Sequence, residues 1–392
     1  MTVVVTASGW GCAASVPRAE TSPASSDLPT LELLGAALIP ARPLDEGVDR
    51  ATHFGSLSGL AFDARTGRYL AVIDDRQPAR IAWLDVRFDG RLHVSVLGVE
   101  PVAAGDEASR RATTEADLEA VAALADGTFV ATEEGHVSDG RRGQPAAGEW
   151  PAALIGLSRE AQAGRPTPFP PMFALGREAG GIRDNQGVES LTLTPDGRLV
   201  AGLERPRWAD LDGGERSGSP FADGRGGPGR LVEFVPQNDG WRAARQWMYP
   251  IEPTRVVDGY NRICDDGENG LTELLALEAS AFLALERACL QNTTTGAVRN
   301  TADLYWVTVR DADDVSSVAT LDPARVRGAR KVRLLDFDAL VPRLPPELAT
   351  LENFEALAFG PTLADGARTL IVASDDNFNA TQKTAFLLFR IR

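Results

Sequence analysis

Residues 185–205 read NQGVESLTLTPDGRLVAGLER. Apolar residues alternate with polar ones through Val188, Leu191 and Leu193, Asp196-Gly197 supplies a turn, and Leu199-Val200-Ala201 runs back. This is the pattern of a β-hairpin. Its open end is unusual. Glu189 begins the first strand and Glu204 ends the second, so antiparallel pairing sets two carboxylates side by side, where like charges repel.

The hairpin recurs four more times. SLSGLAFDARTGRYLAVIDDR spans 56–76, DLEAVAALADGTFVATEEG spans 117–135, LTELLALEASAFLALER spans 271–287 and FEALAFGPTLADGARTLIVASDD spans 354–376. Each is an apolar strand, a turn and a second apolar strand that ends in acidic residues. The first positions align as Ser58, Glu119, Glu189, Glu273 and Glu355, at spacings of 61, 70, 84 and 82 residues. Such spacing suits four-stranded blades repeated around an axis, which is an all-β fold of the β-propeller type. Intervening segments supply outer strands: IAWLDVRF and RLHVSVLGV, RLVEFVP and WRAARQWMYPI, LYWVTVR and KVRLLDF. The last blade ends on TAFLLFRIR and lacks a fourth strand, which TLELLGAALIP at 30–40 can add to close the ring. Five blades are expected. A sandwich, or a six-bladed ring with one degenerate blade, are the alternatives. Residues 206–229 read as a loop insertion.

Pairing about each turn sets Ser58 opposite Asp74, Glu119 opposite Glu133, Glu189 opposite Glu204, Glu273 opposite Glu286 and Glu355 opposite Asp375. In a propeller all five open ends share one face. That face is self-repelling unless something neutralises it. Arg76, Arg205 and Arg287 follow the acidic position in three repeats, and a bound cation is the other remedy. Oxygen donors without thiolate or clustered imidazole favour Ca²⁺, then Mg²⁺ or Mn²⁺. Metal ligands are expected among Glu119, Glu189, Glu273, Glu355, Asp74, Asp375 and Asp376. Glu133, Glu204 and Glu286 line the site, and Asn185, Asn269, Asn353 and Asn377 offer neutral oxygens. The alternative is a solvated face whose arginine salt bridges only stitch blades together.

Composition narrows the rest. The net charge of −15 argues against nucleic acid or anionic membrane as partner. No apolar run reaches the ~20 residues that span a bilayer. The three histidines are scattered, which excludes a histidine-rich zinc centre. No Gly-x-Ser-x-Gly elbow occurs, so a serine-esterase mechanism is not expected. Cys264 and Cys289 bracket a segment that folds back on itself, so a disulfide is expected, and with it an oxidising compartment. Residues 1–28 read as leader and linker, with Cys12 after a short apolar run as a candidate lipid anchor, although no basic residue precedes that run. The fold is assigned to 29–392 as a single domain, expected to be monomeric.

Taken together, SGLAFDARTGRYLAVIDD, DLEAVAALADGTFVATEEG, NQGVESLTLTPDGRLVAGLE, LTELLALEASAFLALER and ENFEALAFGPTLADGARTLIVASDDNF resemble the phytase-like domain family, "esterase-like activity of phytase". The resemblance covers roughly 50–390. The family's glycine after the motif acid is present only as Gly59, with Ala120, Ser190, Leu274 and Ala356 elsewhere. The resemblance implies a bacterial, exported propeller, periplasmic, lipid-anchored at the outer membrane or secreted, with hydrolysis of phosphate or other esters. The expected function is therefore a calcium-dependent hydrolase of small phosphate esters using a cation-activated water. Glu189 and Glu273 would lead the site, with Arg76, Arg205 and Arg287 as phosphate clamps. A gluconolactonase-like lactone hydrolase and a non-catalytic propeller with structural calcium, binding a protein or glycan, are the other readings.

Overall fold

The computed structural model describes residues 28–44, 47–76, 78–105, 116–138, 148–211, 224–238, 240–265 and 267–392. Cys12, the leader reading and part of the 206–229 insertion lie outside them. Five antiparallel sheets form a ring, a five-bladed β-propeller.

Blade 1 runs outward through Leu57–Asp63, Arg68–Ile73, Arg80–Phe88 and Leu92–Pro101. Blade 3 uses Val188–Leu193, Leu199–Leu203, Gly227–Gln237 and Gly240–Ile251. Blade 4 uses Gly270–Glu278, Ala281–Gln291, Val298–Thr308 and Arg330–Asp336. Blade 5 is Asn353–Phe359, Thr369–Asp375 and Lys383–Ile391, and Leu31–Pro40 pairs antiparallel with that last strand from Leu31↔Ile391 to Pro40↔Lys383. The first strand of the fold thus covers what would be an exposed sheet edge. Blade 2 is irregular outside. Beyond Leu118–Ala123, Phe129–Glu133 and Ala153–Leu157, its fourth layer is split between Gln162–Ala163 and Thr167–Pro168.

The core is divided the way the ring is. One buried cluster fills each gap between blades: Leu84 with Phe386 between 1 and 5, Phe129 with Val72 between 1 and 2, Phe234 with Leu154 between 2 and 3, Trp247 with Phe282 between 3 and 4, and Phe354 with Leu285 between 4 and 5. Alternation along each strand therefore serves two cores, one on either sheet face. Cys264 and Cys289 are disulfide-bonded, with Cα atoms 5.4 Å apart. The bond pins the short strand Arg262–Ile263 to the far end of Ala281–Gln291. Closing a loop of this size contributes about 3–4 kcal/mol in the chain-entropy account.

Between blades 1 and 2 the inner strands approach closely enough to need a glycine. A Cβ on Gly59 would lie 2.7 Å from the Glu119 carbonyl oxygen and 2.8 Å from Ala120 Cα. Those are backbone atoms of the neighbouring inner strand and cannot swing aside. Gly59→Ala is expected to cost about 1–3 kcal/mol, measured as a lower urea midpoint at unchanged m-value.

A candidate carboxylate centre on the propeller axis

The direct pairings expected from the sequence do not form, because every inner strand carries a β-bulge at its start. The register shifts between Leu57 and Gly59, Leu118 and Val121, Val188 and Ser190, Leu271 and Glu273, and Phe354 and Ala356. A bulge leaves an unpaired residue and re-aims its side chain. The residues in the bulges are Ser58, Glu119 (with Ala120), Glu189, Thr272 and Glu355. The residues that partner the start of each inner strand are Ile73, Glu133, Leu203, Glu286 and Ser374, so the next position outward holds Asp74, Glu134, Glu204, Arg287 and Asp375. These ten positions form the open ends of the inner hairpins. They carry seven carboxylates and one guanidinium. Among the seven, only Asp74 is more than marginally exposed.

The two halves of this ring differ. On the side of blades 4 and 5, Arg287 stands where the other four blades have an acid. Its Nη2 donates to Glu355 Oε1 at 2.6 Å, and its Nη1 lies 3.9 Å from Glu204 Oε1. Arg205 adds a contact to Glu204 at 3.1 Å. Asn353 Nδ2 donates to Glu355 at 2.8 Å and to Asp375 at 3.4 Å, and the Asn377 N–H donates to Asp375 at 2.6 Å. On the side of blades 1 to 3, fewer donors face the acids. Ser58 Oγ donates to Glu119, Arg76 Nη2 to Asp117, and the Gly187 N–H to Glu134 Oε1 at 2.9 Å. Among the described residues, the second oxygens, Asp117 Oδ1 and Glu134 Oε2, are buried and have no hydrogen-bond partner. An acceptor left bare inside a protein costs roughly 1–3 kcal/mol, more if charged. Oxygens of Asp74, Asp117 and Glu119 lie within 4.8 Å of one another, as do those of Glu119, Glu134 and Glu189.

Burial, then the neighbouring carboxylates, push Asp74, Glu119, Glu134 and Glu189 well above the usual carboxylate range. Asp375 is pushed up to about 8 by burial and then by Glu355. Glu355 is raised by burial although Arg287 opposes it. Burial works against the charge on Arg287, but Glu355, Glu204 and Glu189 outweigh it and hold the guanidinium above its ordinary value.

The bulges redistribute the residues singled out from the sequence. Glu119, Glu189, Glu204, Glu355, Asp74 and Asp375 come together on the axis. Glu273 falls one residue past the bulge, at the position of Gly59, Ala120, Ser190 and Ala356. Its Oε1 accepts the Leu191 and Leu274 N–H groups at 3.0 and 2.9 Å, which ties blade 4 to blade 3. Thr272, not Glu273, is thus the blade 4 counterpart of the acids, and Leu274 is not the counterpart of the glycine. Glu133 turns away from the ring and accepts the Asp117 N–H at 2.8 Å, with His136 Nδ1 at 3.0 Å. Glu286 is held by Tyr249 at 2.7 Å, Lys331 at 2.5 Å and Asn269 at 2.6 Å. Asp376 is taken up by the Ser56 and Phe378 N–H groups and the Thr384 hydroxyl. Arg205 has a side chain with no exposure, whereas that of Arg76 is 28% exposed and also donates to Asn185. Three residues of the site were not singled out. Glu134 is the second acid of an adjacent pair, Asp117 precedes its strand, and His136, stacked on Trp150, lies behind Glu133.

The fold and the centre define a five-bladed propeller with a carboxylate ring on its axis. The chain belongs to the phytase-like family, described as esterase-like activity of phytase, whose family model matches residues 52–378. No match was found among curated proteins. Solved structures similar to the chain include an endo-arabinase from Bacteroides thetaiotaomicron, at 12% identity and TM-score 0.40, covering 89% of this chain and 96% of the other. A gluconolactonase from Xanthomonas campestris is 12% identical with TM-score 0.32, covering 92% and 97%. Likeness at that level carries no argument about chemistry.

The raised carboxyls fix a pH dependence. In the folded protein they hold protons that the unfolded chain has released, so their contribution to stability is present at low pH and is lost as pH rises through their folded values. With chelator present, the melting temperature is expected to fall between pH 4 and pH 8, the window set by Asp375 from 3.8 to about 8. Calcium should flatten only the part of that slope that Asp74, Glu119, Glu134 and Glu189 contribute, and differential scanning fluorimetry across the range checks it.

Proposed function

We propose that the axial centre binds a divalent cation, with calcium the best match, and hydrolyses small phosphate esters. The observation that carries this reading is the pair of buried, unpartnered oxygens on Asp117 and Glu134, inside a group of carboxylates close enough to share an ion. The donors are hard oxygens, which suits Ca²⁺ ahead of softer metals. Asp74, Asp117, Glu119, Glu134 and Glu189 would hold it. The family's esterase-like description supports ester hydrolysis.

When bound, the cation would offset phosphate charge, polarise the P–O bond and lower the pKa of a water. The chain's own residues supply the rest. Ser58 and the Gly187 N–H fix the rotamers of Glu119 and Glu134 before anything binds. Arg76 is held beside the acids by Asp117 and Asn185, and its exposed fork suits phosphate oxygens. Arg287 is spent on Glu355 and Glu204, and Arg205 is enclosed, so Arg76 is the anion clamp of the three. The disulfide supports a place outside the cytosol, whether periplasmic or secreted. Among the described residues no helix is long and apolar enough to cross a membrane.

Protein purified without chelator should turn over a phosphomonoester or phosphodiester, lose that activity in EDTA and regain it with calcium. Glu189→Gln should lower kcat by about 10²-fold or more, and Arg76→Ala should raise KM for the phosphoester. Lactone turnover instead would favour a gluconolactonase-like hydrolase. Bound calcium with a large EDTA effect on melting but no turnover would favour a structural ion in a binding protein.

A further inference from the structure

We infer that the acids Asp74, Asp117, Glu119, Glu134 and Glu189 hold two adjacent cation sites that share Glu119, and that the acids held by arginine and asparagine, Glu204, Glu355 and Asp375, hold none. This rests on the cation-dependent reading above and adds the number and placement of the ions.

Two groups of three acids lie close together on the axis. The first is Asp74, Asp117 and Glu119, and the second is Glu119, Glu134 and Glu189. Calcium–oxygen bonds of about 2.4 Å cannot join oxygens more than about 4.8 Å apart on one ion, and the ligand oxygens within each triad lie within 4.8 Å. Glu119 belongs to both triads and has two oxygens, so it can serve both sites. Each triad also has its own bare oxygen. Asp117 is fully buried, with Oδ2 taken by Arg76 and Oδ1 unpartnered. Glu134 is 1% exposed, with Oε1 taken by the Gly187 N–H and Oε2 unpartnered. In both, one oxygen anchors the carboxylate and the other has no proton donor among the described residues. Among the described residues no group that meets the distance condition holds both Asp117 and Glu134, so an ion in each triad is what answers both vacancies.

The opposite half is already compensated. Glu355 is engaged by Arg287 and Asn353, Glu204 by Arg205 and Arg287, and Asp375 by Asn353 and the Asn377 N–H. Among the described residues no third group of acids meets the same distance condition. Arg287 replaces an acid at the equivalent position in four blades, and a fixed guanidinium beside Glu355 and Glu204 opposes a cation there. Arg287 and Arg205 thus cover Glu204 and Glu355, whereas among the triads Arg76 takes only one oxygen of Asp117 and leaves the rest to cations.

The test counts ions on the whole protein, without reference to turnover. Calcium bound per chain is measured by elemental analysis after equilibration dialysis and by calorimetric titration of the chelated protein. Two ions are expected for the wild type. Asp117→Asn or Asp74→Asn should each leave one, Glu134→Gln should leave the other one, and Glu119→Gln should weaken both. Glu355→Gln should leave two. Melting curves in saturating calcium identify any variant that fails to fold, and the paired variants at the first site keep that site testable. One ion in the wild type, lost alike in the Asp117 and Glu134 variants, would overturn the two-site arrangement while leaving the cation-dependent reading intact. No bound ion at millimolar calcium would overturn both. Loss of an ion in Glu355→Gln would overturn the division of the ring.

Discussion

The structure depends on how five inner hairpins compress like charges at one end of a common axis. Each hairpin must begin and end near that axis, and seven of the ten positions at those ends are acidic. Carboxylates brought this close in a buried setting cannot all remain ionised without compensation. Part of the compensation is built in covalently. Arg287 occupies a position that is acidic in the other four blades, and Arg205 reinforces it. On the other side Asp117 and Glu134 each carry one oxygen that no described residue satisfies, and this is where the fold leaves room for chemistry.

The bulges convert a repeat into a site. In a regular ladder the acid and its neighbour would point to opposite sheet faces, and the carboxylates would be buried in the gaps between blades. With one residue unpaired at the head of each inner strand, the bulge residue and the residue beyond its partner strand lie together at the open end. The same shift turns Glu133 and Glu286 outward into separate hydrogen-bond networks, with the Asp117 N–H and His136 for the first and Lys331 and Tyr249 for the second. Those acids are structural because of a register offset, although by residue type they look the same as the others.

This explains what the sequence discloses. The blade strands, the closing strand at Leu31–Pro40 and the Cys264–Cys289 bond follow from alternation, spacing and turn residues, which are local signals. Glu119, Glu189, Glu204, Glu355, Asp74 and Asp375 are legible because they recur at one repeat position. The bulges are not legible, since an unpaired residue leaves no mark in an alternating pattern, and a shift of one position sets Glu133, Glu286 and Glu273 at the ring in place of Glu134, Arg287 and Thr272, although Arg287 is already legible as a counter-charge. Aligning LSGL, LEAV, VESL, LTEL and FEAL by their apolar residues places Thr272 correctly and gives spacings of 83 and 83 residues on its two sides. Asp117 had no such signal, because it acts through a turn of chain before its strand, and its role depends on Arg76 arriving from the neighbouring blade.

Fixed Arg287 and Arg205 compensate Glu204 and Glu355, and the proposed cations compensate Asp74, Asp117, Glu119, Glu134 and Glu189, where Arg76 takes one oxygen of Asp117. The most direct measurement of this arrangement is an anomalous difference map from crystals grown in calcium or exchanged with manganese. The account predicts density on the axis between Asp74, Asp117, Glu119, Glu134 and Glu189, with none beside Arg287. A map without peaks among those five acids, or a peak set between Glu355 and Glu204, would contradict it.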